Sequence, residues 1–193
     1  MKSIQRLALS AICLSVLGGT LTKAQTTAQP QQEPKTRLQA FEAQTGVVII
    51  KGFSTIGSVS SQNGGTVSVE SRESLDARTG RRELGIVVDV KKVGDTEQKN
   101  SSYIDYDEIE SLLSGIDYIS KVQISVTKLD DFEAVYHTVG DFKISTFSTL
   151  KNRTMVAVSS GELDEVRVLL PFPKLDDLRG LIASAKAKLD AIK

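Results

Sequence analysis

Residues 106 to 119 read YDEIESLLSGIDYI, and the apolar positions Ile109, Leu112, Leu113, Ile116 and Ile119 recur at three- and four-residue steps. Residues three and four apart share one face of a helix, so the segment is predicted to be an amphipathic helix over Tyr106 to Ile119. Asp105 and Glu108 have the reciprocal spacing of a capping box at its start. On both sides of this helix the hydrophobic period falls to two, the repeat of a half-buried strand.

Upstream, GVVIIKGF (46–53) is a continuous β-branched run, and GTVSVES (65–71) alternates Val67 and Val69 with serines. ELGIVVDVKKV (83–93) puts Leu84, Ile86, Val88 and Val90 on one face. These read as three strands, with SSYIDY (101–106) as a short fourth that feeds the helix. Asn63-Gly64-Gly65 supplies the positive-φ residues of a tight hairpin, and Asp76 to Arg82 forms a longer loop around Thr79-Gly80. Downstream, alternation is seen at Val122/Ile124/Val126, Phe132/Ala134/Tyr136, Phe142/Ile144, Met155 to Val158 and Val166/Val168/Leu170. Gly140-Asp141 and Ser160-Gly161 are turn pairs between these runs. Pro171-Phe172-Pro173 ends strand character, because proline cannot donate to a ladder. A last helix is predicted from Lys174 to Ile192, with Leu175, Leu178, Leu181, Ile182, Ala185, Leu189 and Ile192 as its stripe.

The order is strands, helix, strands, helix. Hairpin-length connections imply antiparallel pairing, so the expected class is α+β: antiparallel strands in two runs, each followed by an amphipathic helix packed on a sheet. In this order of elements the chain resembles single-stranded nucleic-acid binders of the Whirly type, which are also strand runs each closed by a helix. The resemblance is architectural and covers no motif; it implies a nucleic-acid or polyanion binder as one reading of function.

Ahead of the domain, Lys2 and Arg6 precede an apolar run from Leu7 to Leu17, and Thr22-Lys23-Ala24 ends with small residues at the spacing of a cleavage site. This is the pattern of a secretory signal peptide over residues 1–24. The run is about half of the roughly 20 residues a membrane span needs, and no later stretch is long enough, so no transmembrane segment is expected after cleavage. Residues 25–37, rich in Gln, Thr and Pro, are expected to form a disordered spacer, followed by a single α+β domain over 38–193. Export implies a periplasmic or extracellular location. Cys13, the only cysteine, lies inside the signal, so the mature domain has no disulfide and no thiolate site.

Of 24 basic residues three lie in the signal, which holds none of the 24 acidic ones, so the mature chain carries a net charge of −3. That balance argues against nucleic acid as the main partner and leaves a protein or a small molecule. His137 is the only histidine and is expected on the solvent face of its strand; with no cysteine beside it, a zinc site lacks ligands. The acidic clusters Asp105/Asp107/Glu108/Glu110, Asp130/Asp131 and Glu162/Asp164/Glu165 do not have calcium-loop spacing and read as helix-start and turn chemistry. Arg78, Arg81 and Arg82 crowd one loop, LDARTGRREL, and are the candidate anion-binding residues. Asn100 and Asn152 head glycosylation sequons. No pattern requires a cofactor, and no phosphate loop, nucleophile elbow or metalloprotease motif is present. The expected role is a non-enzymatic binding or envelope-associated protein, with a carboxylate-using hydrolase as the alternative.

Overall fold

The computed structural model describes residues 33–94, 96–149 and 153–193. The signal-peptide reading of residues 1–24 and most of the spacer therefore lie outside the described residues. The fold is α+β: two antiparallel four-stranded meanders, each followed by a helix. The first sheet has the order β1 (Ile49–Ser60), β2 (Gly65–Asp76), β3 (Arg82–Val93), β4 (Glu97–Asp105). The second has the order β5 (Glu133–His137), β6 (Phe142–Ser148), β7 (Thr154–Ser160), β8 (Val166–Pro171). Helix α1 (Arg37–Glu42) precedes the first sheet, α2 (Ile109–Ile119) joins the sheets and α3 (Lys174–Asp190) ends the fold.

Alternation in sequence becomes rows across each sheet. In the first, Val69 pairs with Val88 and Val88 with Ser102, while Ile86 pairs with both Ser71 and Ile104, all buried. In the second, Ile144, Val158 and Val168 form one buried row, and Thr146, Val156 and Leu170 the next. The two inner faces and both long helices share one core. At its seam the hydroxyls of Ser102 and Ser160 bond at 2.7 Å, and Ser160 Oγ donates to Asn100 Oδ1 at 3.3 Å, so buried polar groups tie β4 to β7.

The helices cross over. Helix α2 follows the first sheet but packs on β5 and β6 of the second; α3 follows the second sheet but packs chiefly on β1, β2 and β3 of the first. Leu175, Leu178, Ile182, Ala185 and Leu189 of α3 are buried, and Leu181 lies against Gly57 of β1. Gly115 lets α2 approach β5, since a Cβ there would overlap the Tyr136 ring.

Three local expectations change. Val122 to Val126 is not a strand: residues 124–126 form a single 3-10 turn, Val126 is exposed, and β5 is left as the sheet edge. The capping box at α2 does not form. Asp105 instead accepts hydrogen bonds from the Arg37 and Leu38 N–H groups, both at 2.9 Å, and Glu108 accepts from the Val139 N–H at 2.8 Å. Both carboxylates thus serve distant backbone rather than their own helix. Finally, structure begins before Leu38: Thr36 is buried and its hydroxyl caps α1 through the Gln39 N–H, while Lys35 reaches Asp141 at 2.9 Å and also pairs with Glu162. The part of the expected spacer nearest the domain, residues 35–37, is accordingly seated on it.

Candidate functional site

The loop holding the three arginines is a tight turn. Asp76 Oδ1 accepts from the N–H groups of Arg78 at 2.8 Å and Thr79 at 3.2 Å, and Gly80 takes φ +72°. Those bonds, with the Thr79 hydroxyl first, hold the Asp76 carboxyl below its usual range. Arg81 pairs with Glu83 at 3.3 Å and lies over the Phe41 ring; Arg82 pairs with Glu73 at 3.2 Å. Arg81 and Arg82 are thus engaged by separate glutamates, and Arg78 is exposed at the tip.

A different set of cations lines one cleft. After α2 the chain runs irregularly from Ser120 to Asp131, folding across the start of β7 and the β8–α3 junction. Between them lies an open cleft of about 1130 Å³. Its wall includes Lys121 and Lys128 from the connecting segment and Arg153 from the start of β7, with Asp130 as its one carboxylate. Val122, Ile124, Leu129 and Phe172 supply apolar surface, and Ser120, Ser125, Thr127 and Thr154 supply hydroxyls. Among the described residues, Lys121, Lys128 and Arg153 form no ion pair, whereas most of the chain's other cations do. Asp117, one turn before Lys121, is occupied: Arg179 grips both its oxygens, at 2.5 and 2.7 Å, and this pair keeps its carboxyl low, with Lys121 adding a smaller effect.

The same end exposes large apolar side chains. Leu129 is 78%, Tyr118 73% and Val126 57% exposed, although their neighbours Ile119 and Phe132 are buried. Two further hollows adjoin the cleft and share its walls, one through Lys121 and Val122 and the other through Arg153. Cations that have no ion pair among the described residues, beside exposed apolar surface and hydroxyls, form a surface that can hold an anionic group and an apolar body together.

The acidic clusters are dispersed into structural contacts. Asp107 pairs with Arg37, Glu110 with Lys186 at 3.7 Å and Glu165 with Lys143 at 2.9 Å, and Asp131 accepts from the Ser148 hydroxyl at 2.8 Å. Burial raises the Glu108 carboxyl, opposed by its bond from the Val139 N–H and helped by the neighbouring charges of Asp105 and Asp107. Glu108 holds the β5–β6 turn and lines none of the clefts just described. His137 ends β5 with its side chain exposed. Asn100 is used internally, its amide donating to the Asp164 carbonyl at 3.1 Å; Asn152 lies outside the described residues. Among the described residues no three His, Cys, Asp or Glu side chains are grouped to hold a metal ion, and no helix is long and apolar enough to cross a membrane. No family model matches the chain, and no curated protein matches it.

The cleft was not visible in the sequence because Lys121, Lys128 and Arg153 are far apart along it and none belongs to a motif. The apolar residues of VQISVTKLD (122–130) alternate like a strand, and only the fold shows that they have no strand partner.

Proposed function

We propose that the chain is an exported, non-enzymatic binding protein whose ligand seat is the cleft between the Ser120–Asp131 connection, Arg153 and Phe172. Export rests on the charge, length and small-residue pattern of residues 1–24. Binding rests on one observation above all: three cations that have no carboxylate partner among the described residues line a single cleft that also offers apolar surface. The arginine loop is the weaker anion site, since two of its three cations already have glutamate partners. The hydrolase alternative has less support, because the carboxyl raised by burial, Glu108, is tied to the Val139 backbone away from the cleft.

The test uses the processed protein recovered from outside the cytoplasm, whose intact mass should begin near Gln25. Its melting midpoint is followed against a panel of small carboxylates, alkyl phosphates, sugars and peptides, and turnover is followed on ester, phosphate-ester and glycoside probes. A raised midpoint with at least one class and no turnover is expected. A mass that includes Met1 would overturn export. Turnover abolished by Glu108→Gln, or a midpoint unmoved by every class, would overturn the binding reading.

A further inference from the structure

The geometry points to a single-headed anion carrying an apolar chain, an alkyl carboxylate or alkyl phosphate, as the ligand of this cleft; this inference rests on the binding reading above. Three features set the class. The first is the excess of charge: Lys121, Lys128 and Arg153 line the cleft with one carboxylate, Asp130, while Asp117 beside Lys121 is taken by Arg179 and Asp131 lines the adjoining hollow with Arg153. A cationic ligand would meet repulsion there, whereas an anionic head would gain charge-assisted bonds from side chains that have no other ion pair among the described residues. The second is the apolar part of the wall, in which Phe172 and Ile124 are half-buried and Leu129 is open, so an apolar body can leave water beside the charged group. The third is scale. A cleft of about 1130 Å³ suits a small molecule, and the cations occupy one end of the molecule rather than the continuous track that a nucleic-acid backbone requires.

An alkyl anion can arrive as a dissolved monomer or as a headgroup standing in a bilayer, so the experiment has two arms. In the first, dodecyl phosphate below its micellar concentration is titrated calorimetrically into the full mature protein, with dodecanol and a twelve-residue thymidine oligonucleotide as comparisons. In the second, the protein is sedimented with phosphatidylglycerol vesicles and with phosphatidylcholine vesicles. All three cationic side chains are exposed, so the combined variant Lys121→Gln, Lys128→Gln, Arg153→Gln should keep the fold; an unchanged melting midpoint checks this. One-to-one binding of dodecyl phosphate, weakened about tenfold or more in the variant and by added salt, supports the inference and assigns a soluble source. Recruitment to phosphatidylglycerol vesicles alone, lost in the variant, supports it with a lipid source. Dodecanol bound as tightly as dodecyl phosphate, with the variant unimpaired, would overturn the anion assignment while leaving a binding cleft. Tighter binding of the oligonucleotide, or no binding of any probe in either arm, would overturn the inference; the panel of ligand classes then decides separately whether the domain binds small molecules at all.

Discussion

Glu42 shows how a single side chain decides where an element sits. Its carboxylate is only 5% exposed and accepts from the Ser74 hydroxyl at 2.8 Å, while Lys51 lies at 2.6 Å and Arg72 at 3.2 Å. These partners belong to β1 and β2, so one glutamate at the end of a six-residue helix fastens α1 to the outer face of the first sheet. The other end of α1 is held by Asp105, which fills two of its unpaired N–H groups. Replacing Glu42 with leucine keeps the volume but leaves Arg72, Ser74 and Lys51 short of an acceptor. A loss of about 1–3 kcal/mol in chemical denaturation is expected, the usual cost of removing a covered charged acceptor. Glu42→Gln should lose less, since an amide oxygen can still accept. An unchanged denaturation midpoint for Glu42→Leu would show that this carboxylate does not hold the helix.

Elements were legible where periodicity and burial agree. Strands β2, β5 and β8 alternate because one side of each meets the shared core, whereas β3 and β7 are buried over successive residues and read as apolar runs. The connecting segment at 122–126 alternates too, yet no strand lies beside it, and alternation without a partner made a false strand. Helix α1 was hidden for the opposite reason: only Leu38 and Phe41 are buried, and it is held by the distant Asp105 carboxylate and by the bonds of its own Glu42 to β1 and β2, which local pattern does not reveal. The crossing of the helices was equally unreadable, since a stripe shows that a helix is covered and not by which sheet. It has a measurable consequence. Helix α3 closes the first sheet with five buried side chains, each worth about 1.5–3 kcal/mol if an apolar side chain moves fully out of water, Ala185 less. That sum rivals the whole stability of a typical domain. Deleting residues 174–193 should therefore abolish cooperative thermal unfolding, although the deleted segment follows the second sheet in sequence. A cooperative transition at the original midpoint would show that α3 is not part of the core.

At the scale of the whole molecule, the shared core and the crossed helices leave one end to irregular structure, where the α2–β5 connection meets the start of β7 and the β8–α3 junction. A connection that does not pack as strand or helix is free to carry exposed Leu129 and Val126 and to present Lys121 and Lys128 to Arg153. Elsewhere on the surface, carboxylates engage most of the cations, as the arginine loop illustrates. The proposed site thus follows from an imbalance in pairing that only the folded chain creates, and two places compete as anion seats: the cleft and the Asp76–Arg82 turn. Backbone amide shifts of the isotopically labelled protein, recorded while dodecyl phosphate is added below its micellar concentration, separate them directly. Saturable shifts confined to residues 120–130, Arg153, Thr154 and Phe172 are expected; shifts centred on Arg78, Arg81 and Arg82, or spread over the surface without saturation, would contradict the assignment of the cleft.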